Sequence, residues 1–90
     1  MKKLTEAKRG EKLKVLRINA KGDLKQRLIS FGVMKEALVE ILEYAPGKST
    51  VEVKVGKMRI ALRDKEAELI EVEPIWMKVK EKLVQLLLSI

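Results

Sequence analysis

The sequence predicts a mainly β domain, a small five-stranded barrel with one short helix after the first strand and an added amphipathic helix at the C-terminus. Apolar and polar side chains alternate in Thr50–Val55 and again in Met58–Arg63, which is the period of a half-buried strand. Only Gly56 and Lys57 separate these segments, and a glycine there permits the positive φ of a type II′ hairpin turn. Beyond them, Ile75–Ile90 repeats apolar residues with the helical period.

The first strand and the helix after it are predicted from the N-terminal third of the chain. Lys12–Asn19 carries apolar residues first in one phase and then in the other, and such a change of phase indicates a β-bulge. Asp23 is placed to cap a helix, with Gln26 three residues later as in a capping box. Gly32 is placed to end that helix in the left-handed conformation.

The remaining strands flank the hairpin. Leu38–Tyr44 is a third segment with strand-like patterning, and it ends at residues 45–47, where proline and glycine together stop a strand. After the hairpin, Asp64–Ala67 is predicted to form a single helical turn with Asp64 as its cap. Leu69–Val72 then resumes a strand and completes the set of five.

The C-terminal segment is predicted to be an amphipathic helix, which Pro74 suits as a first-turn residue. Its apolar stripe comprises Trp76, Val79, Leu83, Leu86, Leu87 and Ile90, opposite Lys78, Lys82, Gln85 and Ser89. The helix is too short, and too charged in its first half, to span a bilayer. The chain therefore divides into a barrel domain, residues 1–73, and this helix, residues 74–90.

Three arrangements are open for the C-terminal helix. Folding back over its own barrel is the first expectation, because an apolar stripe usually covers a core. Pairing with a second copy through the apolar stripe follows closely, because leucines occupy nearly every side of the last turns. Docking on a partner protein is the third.

Composition excludes several kinds of site. The chain has no cysteine and no histidine, so thiolate chemistry, disulfides and an imidazole base are ruled out. Carboxylates and carbonyls alone favour hard ions, and the acidic cluster of residues 66–73 is expected to be a solvated strand face. The serines have no histidine partner and no glycine-rich phosphate loop follows a strand. We therefore expect no catalytic residues, no metal site and no cofactor.

The net charge of +7 raises the question of a nucleic-acid partner. Ten of the twenty Lys and Arg residues fall within residues 1–27, against three acidic residues. Such a site would need Lys12, Lys14, Arg17 and Lys25 on one face. The chain has one Phe, one Tyr and one Trp, too few for a surface that stacks bases. A solvated face is the first expectation, an acidic partner or inner membrane surface the second, and nucleic acid the last.

Several segments together resemble the FeoA domain. They are Leu28–Val33, the break at residues 45–47, and Gly56–Arg63 leading into Glu66–Val72. The resemblance covers roughly residues 10–73 and implies a barrel similar to Src-homology-3 domains. The family usually has a proline-glycine turn at about the place where Lys35-Glu36 stands in this chain.

This resemblance implies a cytoplasmic accessory protein that binds the ferrous-iron transporter FeoB and acts by contact alone. We expect the contact residues to lie around the loops at one end of the barrel. They are Met34, Lys35, Tyr44, Pro46 and Met58. A related barrel forms the C-terminal lobe of metal-dependent repressors of the diphtheria-toxin-repressor type. The alternative function is therefore a nucleic-acid-binding or transcription-regulatory module.

Overall fold

The structure is a computed structural model that describes residues 2–89, except for the side chains of residues 76–81. Its elements in chain order are β1 (Lys2–Lys3), β2 (Lys12–Ile18), α1 (Gly22–Ser30), β3 (Leu38–Tyr44), β4 (Thr50–Val55), β5 (Met58–Arg63), α2 (Asp64–Ala67), β6 (Ile70–Pro74) and α3 (Ile75–Leu88). Two short 3₁₀ turns, Leu4–Glu6 and Pro46–Lys48, lie before β2 and β4. Residues 2–74 are called the β domain below.

The six strands form one antiparallel sheet in the order β1-β6-β2-β3-β4-β5. The mainly β class is confirmed, with one strand more than the five predicted. The extra strand is β1, two residues long, which pairs with Val72 and Glu71 of β6. The largest fully buried side chains are Leu4, Leu13, Leu28, Ile41, Leu62 and Ile70. The core therefore takes residues from the sheet, from α1 and from the first 3₁₀ turn.

The predicted bulge in β2 is confirmed. Val15 pairs with Val72, whereas Arg17 pairs with Glu71, the next residue along β6. Leu16 is thus the extra residue, and Arg17 shares a sheet face with Lys14 although three positions separate them. The bulge keeps apolar side chains on the core face in both halves of the strand, because Ile18 also packs against the core.

Helix α1 ends as predicted but begins differently. Gly32 has φ +90°, and the N–H groups of Gly32 and Val33 donate to the carbonyls of Ile29 and Leu28 at 2.9 Å each, which is a Schellman motif. At the other end the N-cap residue is Lys21, so the prediction of an Asp23 cap is wrong. Gly22, with φ +62°, turns the chain at the helix start. Asp23 consequently lies inside the first turn, where its charge favours the helix dipole.

The predicted β4–β5 hairpin is confirmed. Val55 pairs with Met58 across the two-residue turn, and Gly56 has φ +60° whereas Lys57 is not in the left-handed region, as a type II′ turn requires. The helical turn α2 follows, with Arg63 and not Asp64 as its N-cap. The capping contact comes from within the helix, because Glu66 Oε1 accepts the N–H of Arg63 at 3.0 Å. The last strand begins at Ile70, one residue later than predicted.

Helix α3 does not fold back over the β domain along its second half. It begins at Ile75, with Pro74 as its N-cap, and every residue from 82 to 89 is exposed. The molecule is accordingly elongated, with extents of 47 × 29 × 23 Å. Within residues 2–89, no helix combines the length and the apolar character needed to cross a bilayer.

Candidate functional site

Three chain segments meet at the end of the β domain that carries the β4–β5 turn. Val55, the last residue of β4, pairs with both Val39 of β3 and Met58 of β5. A Cβ atom placed on Gly32, just after α1, would lie 3.4 Å from Val55 Cγ1. The loop that follows α1 and contains Met34 therefore runs beside the hairpin turn.

This end exposes three large apolar side chains, Met34, Leu38 and Met58, which we call the hairpin-end patch. They are 44%, 59% and 47% exposed. Leu38 also lines an open cleft of about 280 Å³ beside the hairpin turn and the start of α3. The cleft residues are Lys12, Leu38, Val39, Glu40, Lys54, Gly56 and Ile75. Met58 is in register with the buried Val55, whereas Leu38 alternates with the buried Val39, so the two side chains lie on either side of this end of the sheet. Exposed methionine and leucine side chains with polar neighbours are typical of protein-binding surfaces.

The loop between α1 and β3 contains a tight turn where the FeoA domain usually has proline-glycine. The N–H of Ala37 donates to the carbonyl of Met34 at 3.0 Å, and Glu36 has φ +73°. Lys35 is not in the left-handed region, so Lys35 and Glu36 hold the positions that proline and glycine prefer in a type II turn. The loop keeps the turn with a residue that is strained there. Lys35 is exposed beside the hairpin-end patch.

Tyr44 and Pro46 lie at the opposite end of the β domain. Six residue steps of about 3.3 Å separate the start of β3 from Tyr44, a distance of about 20 Å, and Tyr44 pairs with Val51 at the start of β4. The expectation that all five contact residues lie at one end is therefore wrong. The physical reason is that the connections before and after one strand lie at opposite ends of a sheet.

The side chain of Tyr44 holds the N-terminal segment against the sheet. Its hydroxyl donates to the carbonyl of Ala7 at 2.5 Å, next to the buried Leu4 and Ala7. Lys48 Nζ lies 5.1 Å from the ring centroid, within cation–π range. Burial raises the pKa of Tyr44, and the nearby Glu11 carboxylate raises it further. These contacts give Tyr44 a structural role, whereas Pro46 is exposed in its loop.

Glu11 anchors the same N-terminal segment. Its carboxylate accepts hydrogen bonds from Lys2 Nζ and from the N–H of Lys8, at 2.8 Å each. Burial raises the pKa of Glu11, but these hydrogen bonds and the charges of Lys2 and Lys8 outweigh burial, so the pKa lies below its ordinary value. The ionised carboxylate thus fastens β1 and the loop before β2.

The last turns of α3 are a second exposed apolar surface. Of the predicted self-association residues, Leu83, Leu86 and Leu87 are 55%, 63% and 71% exposed. Val84 and Leu88 join them at 46% and 81% exposed. The side chains of Trp76 and Val79, and the whole of Ile90, lie outside the described residues. Self-association through this stripe stays a prediction.

The outer face of the sheet carries charges of both signs. Lys12 pairs in register with Glu40, and Arg17 pairs with Glu71. Lys54 lies across from Glu40 on its other side. The bulge brings Arg17 onto the face of Lys12 and Lys14, as a nucleic-acid site would need, but carboxylates alternate with these cations. Lys25 is exposed on α1. Among the side chains that the structure describes, residues 2–75 and 82–89, no three Asp or Glu residues are grouped so as to hold a metal ion.

Comparison with known protein families matches residues 2–74 to the FeoA domain. Among curated proteins, the chain is 35% identical over 72 residues to the putative Fe(2+) transport protein A of Campylobacter jejuni, covering 80% of this chain and 97% of that protein. The alignment takes in nearly the whole length of this relative, and α3 lies beyond the residues matched to the FeoA domain.

Solved structures give the same result for the fold. The iron(II) transport protein A of Clostridium thermocellum superimposes with a TM-score of 0.77 at 33% identity, covering 81% of this chain and 45% of that chain. A manganese-dependent transcriptional repressor superimposes with a TM-score of 0.75 at 19% identity, covering 82% of this chain and 41% of the repressor. At that identity the likeness to the repressor concerns the fold alone.

Proposed function

Because the chain belongs to the FeoA family, we propose that it is a cytoplasmic accessory protein of ferrous-iron uptake that binds a FeoB-type membrane transporter. The observation that carries the proposal is the family match across the whole β domain, residues 2–74. It is supported by the relative in Campylobacter jejuni, whose name is putative Fe(2+) transport protein A. The chain acts in this proposal by contact, and catalysis belongs to the transporter.

The proposed contact surface is the hairpin-end patch together with Lys35. Met34, Leu38 and Met58 offer apolar groups that are already desolvated on one side, and such groups gain most when a partner covers them. Leu38 enters the set although its position in the sequence did not single it out. Its signal was its phase, because Leu38 alternates with Val39, which is buried, and so has to face outwards.

The neighbours of the patch indicate which partner surface would fit. Lys35, Lys54 and Lys57 are all exposed at this end of the β domain. A transporter surface with an apolar centre and acidic groups around it would complement them, and the acidic rim would speed the encounter. Tyr44 is left out of the contact, because its hydroxyl is occupied by the carbonyl of Ala7.

The test is a pull-down of the transporter's isolated cytoplasmic domain with the tagged full chain. Met58→Asp places a charge in the patch and should weaken binding at least about tenfold, as expected for a residue at an interface centre. Ala61→Asp is the matched control, because Ala61 is also exposed on β5 but lies three residues further from the turn. Met34→Asp should behave like Met58→Asp.

Two outcomes would contradict the proposal. Failure of the wild-type chain to retain the transporter domain would remove the transporter as its partner. Wild-type binding by both Met34→Asp and Met58→Asp, with loss in Ala61→Asp, would move the contact to the opposite end of the β domain, where Tyr44 and Pro46 lie.

No observation favours the alternative of a nucleic-acid-binding module. The cations on the outer face of the sheet face Glu40 and Glu71 in register, which lowers the local positive potential that phosphate binding needs. A filter-binding assay at low salt would test the alternative directly. Binding that falls steeply with salt, and that disappears when the charges of Lys12 and Lys14 are reversed, would support the nucleic-acid-binding alternative.

A further inference from the structure

The last two turns of α3 expose apolar groups around more than half of the helix circumference. Lys82, Gln85 and Ser89 are spaced three and four residues apart and form one narrow polar stripe. The remaining side chains are Leu83, Val84, Leu86, Leu87 and Leu88, all exposed. At 100° per residue these five cover an arc of about 200°. We call them the apolar helix end.

A second copy of the chain would not cover this surface well. A helix that packs on one partner needs an apolar stripe little more than about 100° wide, so a pair of helices leaves much of the arc in water. A stable interface between protein surfaces also takes roughly 20–30 residues from each side. Among the described side chains the apolar helix end offers five, and its described neighbours on the helix, Lys82, Gln85 and Ser89, are polar.

The charges of the molecule complement an anionic lipid surface. The chain has a net charge of +7, and no acidic residue follows Glu81. Lys82 stands on the polar stripe. Lys12 and Lys54 also line the cleft at the start of α3, but Glu40 lies between them and offsets part of their charge. A helix with an apolar arc and a lysine on its polar stripe, in a chain of net positive charge, has the composition of a helix that lies in a membrane interface.

We propose that the apolar helix end inserts into the interfacial layer of a membrane that contains anionic lipids, with Lys82 held at the headgroups. The insertion is shallow, because fourteen residues of α3 make a helix of about 21 Å, shorter than the bilayer core of about 30 Å. Membrane binding of this kind needs no transporter, and it inserts residues 83–88, none of which belongs to the hairpin-end patch. It is therefore independent of the function proposed above.

The test is co-sedimentation of the full chain with vesicles of phosphatidylcholine alone or of phosphatidylcholine mixed with phosphatidylglycerol. The wild-type chain should sediment with the anionic vesicles and much less with the neutral ones. Replacing both Leu87 and Leu88 by Gln removes apolar groups without changing the charge and should weaken binding at least about tenfold. The matched control replaces Leu38 and Met58 by Gln, also two exposed apolar residues, and should bind like wild type.

The outcomes that overturn the proposal are distinct. They are absence of wild-type binding to anionic vesicles, equal binding to both kinds of vesicle, and wild-type binding by the Leu87→Gln, Leu88→Gln variant. Sedimentation equilibrium without lipid tests the competing possibility that a second copy of the chain binds the apolar helix end. A dimer or larger oligomer that this variant dissociates, with no vesicle binding by either chain, would assign the apolar helix end to a second copy. Retention of the transporter domain by this variant would leave the proposed function standing in every case.

Discussion

The β domain and the apolar helix end have equally regular apolar patterns and opposite environments. In β2, Leu13 and Val15 are fully buried, whereas in α3 Leu87 is 71% and Leu88 is 81% exposed. A periodic pattern states which side of an element is apolar, and it does not state what covers that side. Within the β domain the sheet supplies the cover, because neighbouring strands pair and place their apolar faces on one side. For the last turns of α3 the described chain supplies none.

Replacing a leucine by alanine in each region should give the largest difference between the two regions in the free energy of unfolding. Leu13→Ala removes a fully buried side chain from β2 and should lower the free energy of unfolding by about 2–5 kcal/mol, as core leucines do. Leu87→Ala should change it by less than about 0.5 kcal/mol. Urea denaturation followed by circular dichroism measures both. A comparable loss in the two variants would mean that the apolar helix end packs on the β domain in solution.

A hydrogen bond from a side-chain hydroxyl to a backbone carbonyl occurs in both regions. Tyr44→Phe removes the bond to Ala7 and leaves that carbonyl unpaired beneath the sheet, so it should cost about 1 kcal/mol of stability. Ser89→Ala removes the exposed bond to the carbonyl of Leu86, 3.0 Å long, which water can replace. Its unfolding midpoint should equal that of wild type. Equal losses of stability in the two variants would show that burial does not determine how much such a hydrogen bond contributes.

The turn at Glu36 holds a glutamate in a left-handed backbone conformation that its side chain disfavours. Glu36→Gly relieves the strain of φ +73° and should raise the free energy of unfolding by about 0.5–1 kcal/mol, after the loss of chain entropy that glycine brings. Lys35→Gly is the matched control, because Lys35 has no positive φ, and it should be destabilising. Urea midpoints of the two variants should therefore move in opposite directions. Shifts in the same direction would exclude strain as the cause.

Lowering the pH should reduce the free energy of unfolding of the β domain through protonation of Glu11. Its pKa in the folded chain lies below the ordinary 4.5, so its stabilising effect is complete above the unfolded pKa and is lost as the pH falls through the folded pKa. Glu11→Gln should remove this part of the acid sensitivity, and Lys2→Met should reduce it, because Lys2 donates one of the two hydrogen bonds. Urea midpoints measured from neutral pH into the acid range test both variants. No acidic residue lies within residues 82–89, so the helix end should not contribute.

Local features of the fold were predictable because short-range chemistry decides them. Gly56 permits a type II′ turn and the structure has a turn of this kind, and the change of apolar phase in β2 corresponds to a bulge at Leu16. The caps were harder, since Asp23 and Asp64 both suit an N-cap and both lie just inside their helices. For α1, the chain turns at Gly22, so the helix begins before Asp23.

The candidate site was less predictable for a geometric reason. Side-chain alternation assigns Met58 and Tyr44 to a sheet face but not to an end of the sheet. Met58 pairs with Val55 and Tyr44 with Val51, so they lie about 13 Å apart along the strands. The order of the strands determines which loops lie together. Because β3 and β4 are antiparallel neighbours, the loop before β3 and the turn after β4 lie at the same end of the sheet. The exposed second half of α3 could not be predicted, because nothing in its pattern distinguishes a covered stripe from an open one.

The strand order has a consequence for how this protein behaves when it is concentrated. The two outermost strands are β1, which consists of two lysines, and β5, which exposes Arg59 and Arg63. Short or charged outer strands are poor templates for a further strand, and this protects a β protein against fibril growth. The most exposed large apolar side chains lie instead on a helix, α3, whose backbone hydrogen bonds are made within the helix. Clusters that form in a crowded cell should be dispersed by mild detergent, unlike amyloid.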